Sequence, residues 1–222
     1  MSMIALIIDD REIQVKRGTP LLKACLDNQI YVPNLCYLES MEAPPASCRL
    51  CFVEIDGYEM PVTSCNTEAV DGMIVRTDTP PVRRLQRSAF ELLMSVHHVD
   101  CAHCAANKKC ELQKIARILK ISLKPKRLHH TLKEPGICED HPILNYYPNR
   151  CVLCGRCIEV CRSQNGQPLM ALAGRGFSTL ISFYGEKSLP DLPCRECLAC
   201  VRICPVGAIG LKDAPVQEDH PD

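Results

Sequence analysis

Seventeen cysteines stand in a chain of 222 residues, about 8% and far above ordinary usage. Most fall at regular intervals. The run Cys151-Val-Leu-Cys154-Gly-Arg-Cys157-Ile-Glu-Val-Cys161 recurs 43 residues later as Cys194-Arg-Glu-Cys197-Leu-Ala-Cys200-Val-Arg-Ile-Cys204. Thiols at every third residue are badly placed for independent disulfides. They are well placed to wrap one face of an inorganic core. The doubled C-x2-C-x2-C-x3-C points to a pair of [4Fe–4S] clusters, with two zinc sites as the alternative.

Two further constellations precede the repeat. Cys36, Cys48, Cys51 and Cys65 are spaced C-x11-C-x2-C-x13-C. Four thiols from a long loop and an adjoining strand suit a [2Fe–2S] cluster, although the spacing is not plant-type, and a structural zinc is the competing reading. His97-x3-Cys101-x2-Cys104-x5-Cys110 offers one imidazole and three thiols. That set fits Cys3His zinc or a [4Fe–4S] cluster with one histidine ligand, and its position between the other cysteine groups favours iron–sulfur. His98 is a rival ligand, and either histidine can be read as an ordinary, partly exposed side chain. In two-cluster ferredoxins the fourth cysteine of each run serves the other cluster. Carried over, that exchange groups Cys151, Cys154, Cys157 and Cys204, and separately Cys194, Cys197, Cys200 and Cys161. Pro205 follows Cys204 as such a run expects, whereas Arg162 follows Cys161 and implies more polar surroundings there. Cys25 and Cys138 are left over. The first falls on the apolar side of a helix and reads as core; the second has no assigned role.

The elements that must carry these residues read as α+β. Residues 3–8 and 12–15 flank Asp9–Arg11 like the strands of a hairpin. Thr19-Pro20 starts a helix with Pro20 at its first position, followed by Leu21, Leu22, Ala24, Cys25 and Leu26. Further β-like runs are 52–55, 60–64 and 73–75, with Asp56-Gly57 and Asp71-Gly72 as turns. This order predicts a β-grasp [2Fe–2S] ferredoxin-like domain over 1–78. Leu85, Ala89, Leu92, Leu93 and Val96 recur at helical spacing over 82–96, as do Leu112, Ile115, Ala116 and Leu119. A helical segment with the His/Cys site, joined to a connector of little periodicity, is expected over 79–147. A bacterial-type 2[4Fe–4S] ferredoxin-like domain is expected over 148–212, and a polar tail over 213–222.

Composition removes other classes. Lys+Arg and Asp+Glu both number 26, for a net charge of zero, which argues against a nucleic-acid binder. Fifteen thiolates against four oxidised cores would take the loaded chain to about −7, further from that role. No apolar run approaches a membrane span. The opening MSMIALII lacks a basic start and meets Asp9, Asp10, Arg11 and Glu12, so neither a signal peptide nor an anchor is expected and the location is read as cytoplasmic. No GxGxxG or P-loop occurs, Gly174-Arg-Gly176 is too slight to stand for one, and no nucleophile–base pair is evident. The cysteine sites read as wiring, with no catalytic residue and no substrate site.

Taken in order, the motifs resemble the iron–sulfur module at the N-terminus of the large subunit of respiratory complex I. The residues that carry the match are Cys36, Cys48-Arg-Leu-Cys51-Phe-Val-Glu54, Ser64-Cys65, Asp71-Gly72-Met73, His97-His-Val-Asp-Cys101 and Cys110-Glu-Leu-Gln113, then the double cysteine run. The resemblance covers roughly residues 3–212. The module is shared with NAD-linked formate dehydrogenases, [FeFe] hydrogenases and NAD-reducing [NiFe] hydrogenases. A chain of this length looks most like the HoxU-type diaphorase subunit of soluble [NiFe] hydrogenases. The resemblance implies one [2Fe–2S] and three [4Fe–4S] clusters. It also implies electron relay between a flavin/NAD-binding subunit and a hydrogenase small subunit. Relay in a formate dehydrogenase or another flavin-based complex is the alternative, and a zinc-stabilised interaction protein is the alternative of another class.

Overall fold

The computed structural model describes residues 2–183 and 194–212; the expected tail over 213–222 lies outside them. Two compact units divide the chain, Met1–Leu92 and Leu93–Asp222.

The first unit is built on β1 (Met3–Ile8) and β2 (Arg11–Lys16), an antiparallel hairpin in register from Met3↔Lys16 to Ile8↔Arg11. Its two-residue turn holds Asp9 and Asp10 at φ 48° and 63°, the twist that tight hairpins require. Asp9 is also anchored, its carboxylate accepting from the Thr77 backbone N–H at 2.8 Å. Alternation along β1 and β2 sends Ile4, Leu6, Ile8, Ile13 and Val15 inward. Helix α1 (Leu21–Asp27) covers that face with Leu21, Leu22, Ala24 and Cys25, so Cys25 is a core residue. Strands β3 (Phe52–Ile55), β4 (Val62–Thr63) and β5 (Ile74–Arg76) complete a mixed sheet of order β2-β1-β5-β3-β4, with β5 parallel to β1. This is the β-grasp arrangement.

Local differences from the sequence expectation have local causes. Pro20 caps α1 from an extended conformation because it forms a bridge with Glu68, and the Leu21 N–H donates outward to Thr67 O at 2.8 Å. The strand expected over 60–64 is cut to Val62–Thr63, because the chain turns at once into a 3₁₀ turn, Ser64–Asn66, that carries Cys65.

Helix α2 (Pro80–Ser95) and helix α3 (Glu111–Leu119) bracket the His/Cys loop. In the second unit, β6 (Leu144–Tyr146) pairs antiparallel with β9 (Ile209–Leu211). Between them lie α4 (Arg156–Asn165), the hairpin β7 (Met170–Ala173) and β8 (Leu180–Phe183), α5 (Cys194–Cys197) and α6 (Ala199–Ile203). Helices α4 and α6 pack together. With β6 and β9 closing the ends, this is a ferredoxin-like fold.

Candidate metal centres

The four thiols of the first unit meet in the core. Cys36, Cys48, Cys51 and Cys65 are each at most 3% exposed. They form two pairs: Cys36 Sγ lies 3.4 Å from Cys48 Sγ, and Cys51 is hydrogen-bonded to Cys65. The loop between Tyr37 and Cys51 is wound back by left-handed residues Ala46 and Arg49 (φ 50° and 53°) on either side of Cys48, whose sulfur meets Cys36. Cys65 is held opposite Cys51 by Ser64, whose N–H and hydroxyl both donate to Cys51 O at 2.9 and 2.8 Å. Hydrogen bonds from Cys48 and Ser47 hold the Cys36 thiol down to about 6, and the hydrogen bond from Cys65 lowers Cys51. Donors Cys48 and Cys65 are pushed up in return. Two facing thiol pairs are what a two-iron core needs, one pair for each iron.

In the second unit His97, Cys101, Cys104 and Cys110 line one hollow of about 280 Å³, together with His98, Asp100, Asn107, Gln113, Arg150 and Val206. Cys110 stands at the N-terminal cap of α3; burial raises its thiol, and the nearby Gln113 and Leu112 N–H groups offset part of that rise. The two histidines differ. His98 is exposed. His97 Nδ1 is buried without a hydrogen-bond partner, while the ring also hydrogen-bonds to the Arg150 backbone. Burial lowers the His97 pKa to about 4. A neutral imidazole with one nitrogen tied to a carbonyl and the other buried and unsatisfied has the form of a metal ligand.

A second hollow of about 320 Å³ is lined by Cys151, Cys154, Cys157 and Cys204 among Val152, Gly155, Ile181, Val206, Ala208 and Ile209. Backbone N–H groups already point at these sulfurs: Leu153 donates to Cys151 Sγ at 3.4 Å and Ala208 to Cys204 Sγ at 3.2 Å. The fourth set is Cys161 with Cys194, Cys197 and Cys200, close enough that Cys161 and Cys197 perturb both Cys194 and Cys200. Cys161 Sγ accepts from Leu169 N–H at 3.2 Å and from the Asn165 amide at 3.5 Å. Arg162 reaches away to Glu159 at 2.8 Å, so the polar neighbour of Cys161 is Asn165. The structure therefore brings together Cys204 with the first run and Cys161 with the second. Cys138 lies apart, its backbone paired with Tyr146.

Burial raises the thiol pKa of Cys110, Cys151, Cys154, Cys157, Cys194 and Cys200, to about 12 for Cys154 and for Cys200. Thiols so placed ionise only against a compensating cation, and loading releases their protons. Among the described residues, no three His, Cys, Asp or Glu side chains converge as a single ion requires; zinc would draw its thiolates to about 3.8 Å of one another. Soft sulfur donors gathered in fours around a hollow suit polyatomic iron–sulfur cores. Several contributors carried no signal in the sequence. The Arg150 carbonyl, Asn165 and Tyr146, which is hydrogen-bonded to Cys151, reach the sites only through the fold.

Family models match in series along the chain. A 2Fe-2S iron-sulfur cluster binding domain covers residues 1–80, the NADH-ubiquinone oxidoreductase-G iron-sulfur binding region covers 86–123, and the ferredoxin-like domain of NADH-quinone oxidoreductase subunit 3 covers 141–210. The chain is 34% identical to a G-type chain of the NADH-quinone oxidoreductase of Rhizobium meliloti, over 93% of its own length and 24% of the relative's. It is 33% identical to the NADP-reducing hydrogenase subunit HndD of Solidesulfovibrio fructosivorans, over 94% and 36%. It therefore spans about a quarter to a third of these curated relatives. A chain in the crystal structure of an NAD+-reducing [NiFe]-hydrogenase in the H2-reduced state superposes with TM-score 0.84 at 27% identity, covering 97% of this chain and 90% of that one.

Proposed function

We propose that this chain, which matches a 2Fe-2S binding domain, the NADH-ubiquinone oxidoreductase-G iron-sulfur region and an NADH-quinone oxidoreductase subunit 3 ferredoxin-like domain in series, is an electron-relay subunit between a flavin/NAD(H)-binding diaphorase subunit and a [NiFe] hydrogenase module. Cys36, Cys48, Cys51 and Cys65 would hold a [2Fe–2S] cluster. His97, Cys101, Cys104 and Cys110 would hold one [4Fe–4S] cluster, and Cys151, Cys154, Cys157 and Cys204 a second. Cys161, Cys194, Cys197 and Cys200 would hold the third. When bound, such groups take up and release single electrons.

The chain's own residues prepare each site. Thiol burial keeps water away, and N–H groups aimed at sulfur stabilise added negative charge. The Arg150 carbonyl selects the His97 tautomer. No substrate site and no catalytic side chain is assigned to this chain; flavin, nicotinamide and nickel would lie on partners. Among the described residues no helix is long and apolar enough to cross a membrane, and we assign the chain to the cytoplasm.

The observation that supports this reading best is the near-complete mutual coverage with the NAD+-reducing hydrogenase chain, taken with four gathered ligand sets. The relationship to the Rhizobium meliloti protein favours a second reading, the same relay in a complex I-like enzyme; relay in a formate dehydrogenase is the further alternative that the motifs allow. Metal analysis of the complex isolated anaerobically from its host separates them. The chain should bring about 14 irons. Nickel alongside them supports the hydrogenase, whereas molybdenum or tungsten moves the relay to a formate dehydrogenase. About four zincs with little iron would sink electron transfer altogether.

A further inference from the structure

Tyr146 is fully buried at the end of β6 and packs edge-on against Phe183, the ring centroids 6.4 Å apart. A phenol in that position must satisfy its hydroxyl internally. The Oη atom accepts the Ile181 backbone N–H at 3.1 Å. That bond fixes the oxygen and leaves its single proton to be donated elsewhere. The acceptor is Cys151 Sγ, to which Tyr146 is hydrogen-bonded. Ile181 and Cys151 line the same hollow, so a phenol held by the Ile181 N–H stands beside that ligand set.

Resting on the ligand assignment above, we propose that the Tyr146 hydroxyl is a positioning group that tunes one cluster: held by Ile181 N–H, it donates to the Cys151 thiolate and raises the reduction potential of the group held by Cys151, Cys154, Cys157 and Cys204. The sign follows from charge. Reduction adds one electron and breaks no bond, the phenolic proton stays on oxygen, and negative charge grows on the sulfurs. A donor aimed at sulfur stabilises the reduced state more than the oxidised one. The 43-residue offset that relates Cys151 to Cys194 relates Tyr146 to Leu189, so the repeat itself does not carry a phenol to the equivalent position.

Tyr146→Phe removes the hydroxyl and keeps the ring that packs on Phe183. In the holo-complex, an EPR-monitored potentiometric titration should show one [4Fe–4S] signal moved to lower potential and the others unmoved. At fixed poise its reduced-to-oxidised ratio should fall severalfold, a tenfold fall corresponding to about 59 mV for one electron. Cys151→Ser identifies the signal, since it must alter the same one. If Cys151→Ser alters no cluster signal, the ligand assignment fails. If it does and Tyr146→Phe leaves that potential unchanged, the assignment stands and the tuning role is overturned. Phe183→Leu disturbs the ring packing but spares the hydroxyl. An equal downward shift in that variant would assign the effect to packing and overturn the proposal too; an unchanged potential supports it.

Discussion

The two cysteine runs of the second unit share a spacing, yet their chains behave differently after the fourth cysteine. Beyond Cys161, α4 continues to Asn165 and ends on Gly166 at φ 73°, a left-handed stop that glycine takes without strain. At Cys204 the helix is already over. α6 ends at Ile203, and Cys204 is extended at φ −66°, ψ 117°, as the residue before a proline must be. The sulfur environments diverge with the backbone. Cys161 receives Leu169 N–H, from the start of the β7–β8 hairpin, and the Asn165 amide, while Cys204 receives Ala208 N–H from a turn four residues on. Spacing alone thus sets which thiols can share a core. The single residue after the fourth thiol decides how the chain leaves it and which donors reach the sulfur.

The largest test of this comparison removes a thiol. With the exchange of fourth cysteines, Cys204→Ala should cost about four irons and spare the Cys194 set. Cys151→Ala on top of it should add little, because both act on one site; Cys194→Ala on top should remove a second cluster. Iron counting with EPR of the reduced complex reads this directly. If Cys204→Ala with Cys194→Ala together remove only one cluster, the two runs are each self-contained and the exchange is wrong. A smaller effect is expected where the backbones part. Arg162→Pro puts a pyrrolidine ring against the Ile158 carbonyl inside α4 and should cost about 3 kcal/mol. Arg162→Ala, which loses only the exposed contact with Glu159, should cost about 0.5 kcal/mol or less. Denaturant midpoints of the loaded protein would check the pair, and equal losses would mean that α4 does not depend on its helical continuation.

Much of this was legible in the residues. Cysteine spacing carries its chemistry openly, and the inward alternation of β1 and β2 marks the hairpin, because both signals are local. Amphipathic spacing likewise revealed α2 and α3. Strand β6 was not legible. Three residues, Leu144–Tyr146, are too few to show a period, and they are a strand only because β9 pairs with them from more than sixty positions away. The β7–β8 hairpin was hidden in the same way. Its loop, residues 174–179, needs Gly174 at φ 78°, where a Cβ would meet Ser178 O at 2.5 Å; as sequence, Gly174-Arg-Gly176 could only be dismissed as a nucleotide motif. The hydroxyl at Cys151 depends on both of these elements, β6 bringing Tyr146 and β8 bringing Ile181, so no reading of spacing could have reached it.

The smallest difference between the runs is also the most local. The residue after the second cysteine turns left-handed in both, Gly155 at φ 74° and Leu198 at φ 42°. Space does not force glycine at 155, since a Cβ there would meet nothing within 4 Å. The cost of a side chain is therefore conformational alone, about 1 kcal/mol for Gly155→Ala. Leu198 already bears that cost, partly offset by its half-buried side chain. Leu198→Gly should relieve it and stabilise the protein by a few tenths of a kcal/mol, roughly, once the added freedom of the unfolded chain is subtracted. Opposite signs at equivalent positions are the expectation, read from paired denaturation curves. Were both variants destabilising by a similar amount, the leucine side chain would outweigh its backbone strain. The second turn would then be held by packing that the first turn lacks.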